Sequence, residues 1–439
     1  MIYDCVIIGG GLAGLTCGIK CAKEGLHTVI ISGGMNSLHF SSGSIDLAGY
    51  TEKGAIVKKP FEYIKELIKS NKEHPYTKIG LSSIKKSIDF FIDELASDNI
   101  PLNNNGEYNH FRVTPLGAVK PTYLSQESVY SSKGKEIIKS KGKIAILNFK
   151  GFRDYYAEQT AANIKNHPIF QDIEITVGSI SLPYYHKTEK NLHEFRSIDI
   201  SRIFETEKYL PRIAEEIKRA AGDAVAISLP AFIGIKNYKS IRQKLEAMTG
   251  KFIYEIPTLP PSILGLRIDH ALKDRFFSYG GEYIAGEKIV SGKINKNEVE
   301  SISTLNEGRL SEIKSKYYVL ATGSFFSGGL QSRLEGISET IFDLATNGTN
   351  PRNKWYSKNF FDKKSHPFLN FGVVTDKNLN AKTKEGKAIK NLLCAGAIIG
   401  GYNPIKEGCG GGVAIASAYK CAELIAKDLK NDKAGKYKF

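Results

Sequence analysis

The fold is decided close to the start of the chain, where residues 3–14 read YDCVIIGGGLAG. The apolar run from Tyr3 to Ile8, which contains β-branched residues, predicts a buried strand. Leu15 to Glu24 predicts a helix closed by Gly25, and His27 to Ile31 predicts a second buried strand. A strand, a G-x-G-x-x-G turn, a helix and a second strand form, in this order, the βαβ unit that binds dinucleotides.

The three spaced glycines have separate physical roles in such a unit. Gly9 allows the tight turn, Gly11 lets a phosphate approach the backbone, and Gly14 lets the helix pack against the strand. The free N–H groups at the helix start, around Leu12 and Ala13, favour an anion there, as does the helix dipole. Glycine triplets also occur in ordinary loops, but here the flanking strand, helix and second strand are all in place. We therefore predict that these five residues bind a cofactor phosphate.

The end of the second strand lacks the residue that usually completes this site. An Asp or Glu about twenty residues past the glycines normally binds the adenosine ribose. This chain has Ser32 there, followed by Gly33 and Gly34. A serine hydroxyl lacks the charge and the bidentate hydrogen bonding of a carboxylate. Ser32 and Gly33 are candidate cofactor contacts, and the adenosine half of the cofactor is left open.

A small, polar, glycine-rich loop follows, with the sequence GGMNSLHFSSGS at residues 33–44. Loops at the carboxyl ends of parallel strands lie where ligands bind. We therefore predict that Ser41, Ser42 and Gly43 bind phosphate or ribityl oxygens, with a flexible surface loop as the ordinary alternative. His39 in this loop is either an acid or base or a packed side chain.

Composition narrows the class of protein. The chain has 439 residues, of which 41% are hydrophobic and 24% charged, a globular profile that suggests two or three domains. The sequence has no apolar run long enough for a membrane span and no basic segment before its first strand, so we expect a cytoplasmic protein. The net charge of +15 indicates either an anionic partner or a lysine-rich surface, and the scattered lysines favour the surface. The six cysteines include no C-x-x-C pair, so we expect neither a metal site nor an iron–sulfur cluster.

The order of strands and helices predicts an α/β protein with two regions. Residues 1–100 and 262–439 are expected to form one discontinuous Rossmann-like domain, and residues 101–261 an inserted α/β cap or substrate domain. Two amphipathic helices are predicted at Pro60 to Ser70 and Leu81 to Ser97. From Glu282 onward, short strands separated by turns predict a β-meander.

Two further small-residue turns occur near the end of the chain. The strand that ends at Leu320 runs into Ala-Thr-Gly at residues 321–323, so Thr322 and Gly323 are predicted to lie close to a cofactor. A second strand ends in a turn that contains Gly396. The triplet Gly410, Gly411 and Gly412 then opens the last helix, a second place where backbone N–H groups favour an anion or a carbonyl oxygen.

The GGGLAG start, the ATG corner and the late GGG helix together resemble the two-dinucleotide-binding-domain flavoproteins. This family includes the flavoprotein subunits of succinate dehydrogenase and fumarate reductase. The resemblance implies that the first glycines hold the flavin phosphate, and that the ATG corner packs near the cofactor. It also implies that the last helix points at the flavin pyrimidine edge. Ser32 and Ala397 depart from the family, which has acidic residues at these two positions.

Five longer motifs are distinctive at finer grain: LHFSSGSIDL at 38–47, HPYT at 74–77, PTLPPSILG at 257–265, GSFFSGGL at 323–330 and GCGGG at 408–412. They resemble the family of flavoprotein B subunits of bacterial anaerobic glycerol-3-phosphate dehydrogenases, which share both departures. The resemblance covers nearly the whole chain.

The finer resemblance implies FMN as the cofactor, with FAD as the alternative. It implies oxidation of sn-glycerol 3-phosphate to dihydroxyacetone phosphate. It further implies two partners, a catalytic A subunit and a membrane-associated iron–sulfur C subunit that passes electrons to quinone. The chain would then lie peripherally on the cytoplasmic side of the inner membrane. FMN has no adenosine, which agrees with the absence of an acidic residue at Ser32.

Alcohol oxidation by a flavin needs a base for the hydroxyl proton, and the phosphate needs a cationic clamp. His39 and His74 are the candidate bases, and Arg112, Arg196 and Arg267 the candidate clamp. The ordinary alternatives are a core histidine and a surface arginine. Two other functions stay open: an electron-transfer flavoprotein subunit without its own substrate site, and a flavin-dependent tRNA-modifying protein. The second lacks a basic stripe with interleaved aromatic residues, so no nucleic acid is expected as a partner.

Overall fold

The structure is a computed structural model that describes residues 2–183, 191–306 and 308–436. Its strands, in chain order, are β1 (Tyr3–Ile8), β2 (Thr28–Ser32), β3 (Leu102–Asn103), β4 (His110–Val113), β5 (Val119–Thr122), β6 (Ser125–Gln126), β7 (Ile144–Phe149), β8 (Ile175–Ile180), β9 (Ala226–Pro230), β10 (Phe252–Ile256), β11 (Glu282–Ala285), β12 (Lys288–Asn295), β13 (Glu298–Asn306), β14 (Arg309–Ile313), β15 (Ser315–Leu320), β16 (Leu330–Arg333), β17 (Gly336–Glu339), β18 (Asn380–Lys382) and β19 (Ala388–Cys394).

The α-helices, in chain order, are α1 (Leu12–Lys23), α2 (Pro60–Ser70), α3 (Pro75–Ile79), α4 (Leu81–Ser97), α5 (Ser132–Lys139), α6 (Ala157–Ile164), α7 (Ser197–Phe204), α8 (Leu210–Ala221), α9 (Tyr238–Thr249), α10 (Ile263–Ser278), α11 (Pro404–Glu407) and α12 (Gly410–Lys436). Helices α2 and α4 confirm the two predicted amphipathic helices. Within the described residues, no helix has the length and apolar character needed to cross a lipid bilayer.

The large sheet has the strand order β11-β2-β1-β15-β19-β18. All its strands are parallel except β18, which runs antiparallel to β19. Cys5 in β1 pairs with Thr28 on one side and Tyr317 on the other. The strand order therefore reverses at β1, and the carboxyl edge at such a reversal is where ligands bind in open α/β sheets. The predicted α/β class is confirmed.

The second sheet is smaller and wholly parallel, with the order β10-β9-β7-β8. Each sheet carries its own hydrophobic core, because the apolar side chains of its strands pack under the helices that cover it. The domain boundaries at residues 100 and 262 stay a prediction. The predicted ranges include residues 1, 184–190, 307 and 437–439, which lie outside the described residues.

The meander consists of β12, β13 and β14, paired antiparallel in that order. The assignment of residues 282–284 to this meander is wrong. These residues form β11, which pairs in parallel with β2, with Tyr283 opposite Ile30. Short edge strands of an α/β sheet and meander strands have the same local pattern, so only the tertiary pairing distinguishes them.

Candidate functional site

Four small-residue turns meet at the carboxyl edge of the large sheet. They occupy residues 9–14, 32–34, 321–323 and 395–396, which follow β1, β2, β15 and β19. We call these four turns the glycine edge. Their contacts are so close that larger residues would not fit. A Cβ atom on Gly9, whose φ is +116°, would lie 2.4 Å from the carbonyl oxygen of Ala321. A Cβ atom on Gly396 would lie 2.7 Å from the Ala13 side chain.

Helix α1 begins at this edge with an open N-terminus. No side chain caps its first turn, so its leading N–H groups face the space in front of the helix. A Cβ atom on Gly11 would meet no atom within 4 Å, whereas one on Gly14 would lie 1.8 Å from the Gly9 carbonyl oxygen. Gly14 therefore serves packing, and Gly11 keeps room open beside the helix dipole. This cradle suits a phosphate group.

The N-terminus of α12 is less open than its three glycines suggest. The Gly412 N–H donates to the carbonyl oxygen of Asp46 at 2.9 Å. A Cβ atom on Gly412 would also lie 2.2 Å from the Tyr76 hydroxyl oxygen. This glycine is therefore required for close packing, and its N–H is not free to bind a cofactor. Gly410 and Gly411 stay candidates for that role.

One buried polar atom at the glycine edge lacks a partner. The Thr322 Oγ1 is buried and has no hydrogen-bond partner among the described residues. The neighbouring Gly323 has a φ of +76°, which turns the chain sharply beside it. Buried hydroxyl groups are normally hydrogen-bonded, so an orphan at this place indicates that a ligand atom completes the site. Together with the Gly11 cradle, it fits a bound flavin.

The loop after β2 lies against the start of α10. A Cβ atom on Gly43, whose φ is +67°, would lie 2.5 Å from the Leu264 side chain. The Ser41 hydroxyl accepts a hydrogen bond from the Gly43 N–H at 3.3 Å, and Ser42 is half-buried. The loop is thus held close to the large sheet, which is compatible with the predicted contacts of these three residues to a cofactor. Gly33, in contrast, is exposed.

A buried carboxylate that the sequence pattern did not single out anchors this loop. Asp269 in α10 accepts hydrogen bonds from the Asn36 amide at 2.7 Å and the Lys273 ammonium at 2.7 Å, and it binds His39 Nε2 at 3.0 Å. Burial would raise the pKa of Asp269, but these donors together hold it below its usual value. The only sequence signal was the Asp-Lys spacing of four residues on a helix, which is common on exposed helix faces.

His74 does not have a free ring nitrogen. Its Nδ1 accepts the Tyr76 N–H at 3.1 Å, and its Nε2 lies 3.0 Å from the Glu407 carboxylate. The side chain is almost completely buried and caps the short helix α3. A base needs a lone pair that faces the substrate, and this arrangement engages both ring nitrogens of His74, so it does not favour that role, which stays a prediction.

The same environment could be mistaken for a metal site. The ligand atoms of His74, Glu407 and Cys409 lie within 4.8 Å of one another. Because His74 Nδ1 accepts a backbone N–H, Nε2 carries the proton and has no lone pair for a metal. Burial also raises the pKa of the Cys409 thiol, and the nearby Glu407 raises it further.

The three candidate arginines occupy different places. Arg267 is fully buried in α10 and forms two hydrogen bonds to the Glu255 carboxylate, at 2.6 and 3.0 Å, with a third to the Gly234 carbonyl oxygen. Its charge is paired with Glu255 inside the protein, which does not favour a place in a phosphate clamp, and that role of Arg267 stays a prediction. Arg196 is exposed before α7, outside the glycine edge.

Arg112 lies beside Asp46, close to the start of α12. Its guanidinium lies 3.8 Å from the Asp46 carboxylate, and the Asp46 carbonyl oxygen is the group that binds the first turn of α12. Both side chains hold buried atoms, Arg112 Nε and Asp46 Oδ1, that have no hydrogen-bond partner among the described residues. On its other side, Arg112 lines a mainly apolar cavity of about 310 Å³. The pair is available for a polar ligand, and Asp46 was not singled out from the sequence.

Comparison with known proteins identifies the family. The family model described as an FAD binding domain matches residues 4–413, which defines the class as flavin-binding proteins. The B subunit of anaerobic glycerol-3-phosphate dehydrogenase from Aliivibrio fischeri is 38% identical over 98% of this chain and 96% of its own length. The corresponding protein of Vibrio cholerae is 37% identical over 97% of both chains. This chain therefore belongs to the FAD-binding domain family and, within it, to the family of these B subunits.

A solved chain of Escherichia coli quinol fumarate reductase covers 98% of this chain with 71% of its own length. Its identity is 10% and its TM-score 0.43, a likeness too low to carry an argument. The family membership rests on the near full-length relatives, whose matched region includes the glycine edge.

Proposed function

We propose that this chain is the flavin-carrying subunit of an anaerobic glycerol-3-phosphate dehydrogenase. In this proposal the complex oxidises sn-glycerol 3-phosphate to dihydroxyacetone phosphate. The observation that carries the proposal is the sequence similarity to subunits of that name. This similarity extends over nearly the full length of the chain and includes the glycine edge. The open N-terminus of α1 beside Gly11 and the orphan hydroxyl of Thr322 support a flavin at this edge.

The reaction removes a hydride from carbon and a proton from the adjacent hydroxyl, and a bound flavin supplies the hydride acceptor. His39 is the proposed proton acceptor. An ionised Asp269 accepts but does not donate hydrogen bonds, so it fixes the proton of His39 on Nε2 and leaves the lone pair on Nδ1. Arg112, which faces Asp46 near the start of α12, is the proposed contact to the substrate phosphate.

A single-turnover experiment tests this assignment. We expect anaerobic mixing of the flavin-loaded chain with glycerol 3-phosphate to bleach the flavin absorbance. A His39→Asn variant should retain flavin. Its rate of flavin bleaching should fall by about a hundredfold or more, the typical size of a general-base contribution. His27→Asn is the matched control, because this histidine lies at the opposite end of the large sheet, where its Nε2 binds the exposed Glu282.

A second function has a specific observation in its favour. His74 and Arg267, two of the five candidate catalytic residues, are fully engaged in structural contacts. The chain would then be an electron-transfer flavoprotein subunit, and the catalytic A subunit would oxidise the substrate. Bleaching that requires the A subunit would support this function, and bleaching of the isolated chain would exclude it.

We also propose that the chain works with the catalytic A subunit and with a membrane-associated iron–sulfur C subunit, which passes the electrons to quinone. All six cysteines are free and buried, and the sequence has no C-x-x-C pair to bind a cluster. Association with the membrane would then occur through the iron–sulfur partner. Substrate-driven quinone reduction should be negligible for the isolated chain and appear when the neighbouring subunits are added. Full activity of the chain alone would refute the complex.

FMN is the proposed flavin, although the matched family is named for FAD. The supporting observation is that Ser32 donates its hydrogen bond to the Gly34 carbonyl oxygen at 3.1 Å, within its own loop. The Ser32 hydroxyl is therefore engaged within its own loop, and Ser32 supplies no carboxylate to an adenosine ribose. Acid release of the bound cofactor followed by chromatography should yield FMN, and recovery of FAD alone would contradict this choice.

A further inference from the structure

The space beside the second residue of the glycine turn is already filled. Tyr283 extends from β11 toward the carboxyl edge of the sheet, and a Cβ atom on Gly10 would lie 2.1 Å from its hydroxyl oxygen. The same Cβ atom would lie 2.9 Å from the Ser32 side chain. Gly10 is therefore required not by its backbone conformation but by the tyrosine that lies against it.

Two side chains of α10 hold the ring of Tyr283. The Lys273 ammonium lies 5.2 Å from the ring centroid, a cation–π distance, and the Phe277 ring lies 6.5 Å away at a steep angle. The same Lys273 is bound to the buried Asp269. Tyr283 is thus held from the helix side, although it is only half-buried.

Three other polar side chains of this corner, those of Asn36, Ser32 and Asp269, bind other groups of the protein. The Asn36 amide donates to the Gly10 carbonyl oxygen at 2.9 Å and to Asp269 at 2.7 Å. Ser32 donates to its own loop. The one buried carboxylate near the corner among the described residues, Asp269, is occupied by Asn36, His39 and Lys273. None of these groups is therefore free to receive the ribose hydroxyls of an adenosine.

In βαβ units of this kind, the adenosine ribose lies between the glycine turn and the end of the second strand. We infer that Tyr283 occupies this position and selects FMN over FAD by excluding the adenosine half. The inference rests on the proposed FMN cofactor and adds the residue responsible. Exclusion by a side chain is a stronger device than the mere absence of an acid, because a clash penalises the wrong ligand directly.

Flavin titration of the apoprotein tests the role of Tyr283. We expect the wild-type chain to bind FMN more tightly than FAD, measured by quenching of flavin fluorescence. Tyr283→Ala should lower the ratio of the FAD and FMN dissociation constants by about tenfold or more, the usual range for relief of a pocket contact. Tyr283→Phe removes only the hydroxyl at the point of contact and should give a smaller change in the same direction.

Tyr3→Phe is the matched control. Tyr3 lies at the opposite end of the same sheet, where its hydroxyl donates to the exposed Glu282, so its removal should leave the ratio unchanged. A preference for FAD in the wild-type chain would overturn the proposed cofactor and this inference together. A preference for FMN that Tyr283→Ala does not change would overturn only the role of Tyr283.

A second measurement tests the contact itself without any cofactor. Gly10→Ala places a methyl group against the Tyr283 hydroxyl, so the apoprotein should melt at a lower temperature than the wild type. Combination with Tyr283→Ala should remove most of that penalty. If Gly10→Ala lowers the melting temperature equally with and without the Tyr283 side chain, the two residues do not touch, and the inference is overturned.

Discussion

At the carboxyl edge of the large sheet, close-packed glycines leave room beside the strand ends, whereas at the same edge of the small sheet phenylalanine side chains fill that room. Gly9 and Gly396 follow β1 and β19, with gaps beside them that only a hydrogen atom fits. After β9, Phe232 packs its ring 5.0 Å from Phe149 and 4.6 Å from Phe152. Both sheets are parallel over most or all of their strands and covered by helices, so the contrast lies in the residues at their carboxyl edges.

The difference shows what turns a parallel sheet into a binding site. Strand ends and helix N-termini are similar in both sheets, so the polar backbone groups are available in principle in each. In the small sheet, the backbone N–H of Ile233 is satisfied by Glu255, which Arg267 neutralises. Side chains therefore close the carboxyl edge of the small sheet, whereas the carboxyl edge of the large sheet leaves room for a ligand.

The largest expected effect is a loss of stability when the buried ion pair at the carboxyl edge of the small sheet is broken. Arg267→Met leaves Glu255 buried without its cation, and removal of one partner of a buried ion pair costs about 3–5 kcal/mol. Chemical denaturation should show this loss in the free energy of unfolding. The double variant Arg267→Met, Glu255→Met should recover much of it, and an unchanged deficit would contradict the ion-pair explanation.

The pH dependence of that variant has a defined sign. Burial would raise the pKa of Glu255, but Arg267 holds it below its usual value in the wild type. The carboxylate therefore stabilises the wild type above its unfolded pKa of about 4.3, and this contribution is lost as the pH falls through the lower folded pKa. Without Arg267, burial raises the pKa of Glu255, so lowering the pH protonates the carboxylate and removes its buried charge. The deficit of Arg267→Met should shrink toward low pH.

The next effect concerns the open edge. Gly11→Val should leave a folded protein that binds flavin about a hundredfold more weakly or worse, about 2.7 kcal/mol, because the side chain enters the phosphate cradle. Its backbone is extended, with φ at −82°, so valine is tolerated there. Flavin absorbance should vanish while circular dichroism persists. Gly14→Val is the contrasting variant, since its Cβ atom would meet the Gly9 carbonyl oxygen and disrupt folding.

A smaller effect is expected at the end of β2. Ser32→Glu supplies a carboxylate for the adenosine ribose and should shift the preference toward FAD by about tenfold, about 1.4 kcal/mol. The shift should be larger in a Tyr283→Ala background, where the adenosine position is open. Competition between the two flavins for the apoprotein measures both shifts. Equal shifts in the two backgrounds would show that Ser32 and Tyr283 act independently on the choice of flavin.

The smallest effect is expected at Thr322, where one substitution should stabilise the apoprotein but weaken flavin binding. Thr322→Val removes a buried hydroxyl that has no partner among the described residues. The apoprotein should become more stable by about 1 kcal/mol, because the unpaired group no longer has to be buried. Flavin affinity should fall by about three- to tenfold, the value of one hydrogen bond. Loss of stability in the apoprotein would show that the hydroxyl has a protein partner.

The glycine edge was predictable because its elements are local. The turn after β1 and the turn at residues 321–323 are each specified by a strand and the small residues that follow it, within a dozen positions. Parallel strands then bring such turns to one edge, whatever the intervening chain does. The prediction was wrong for β11, which has the same local pattern as the meander that follows it.

The candidate catalytic residues were less predictable, because their roles depend on partners far away in the chain. His74 and Arg267 were plausible catalysts by residue type, but Glu407 and Glu255 occupy their polar atoms. Asp269 was not singled out from the sequence, and in the structure it anchors the loop that holds His39.

The sequence by itself determined the βαβ unit, the positions of the glycine turns and the lack of an acid at Ser32. These follow from the backbone freedom of glycine and from hydrophobic periodicity, which are properties of short segments. The tertiary structure alone decided that the start of α1 stays open, that both ring nitrogens of His74 are engaged, and that Tyr283 lies against Gly10. Those outcomes depend on side chains from distant segments that compete for the same space and the same hydrogen bonds, and no local pattern records that competition.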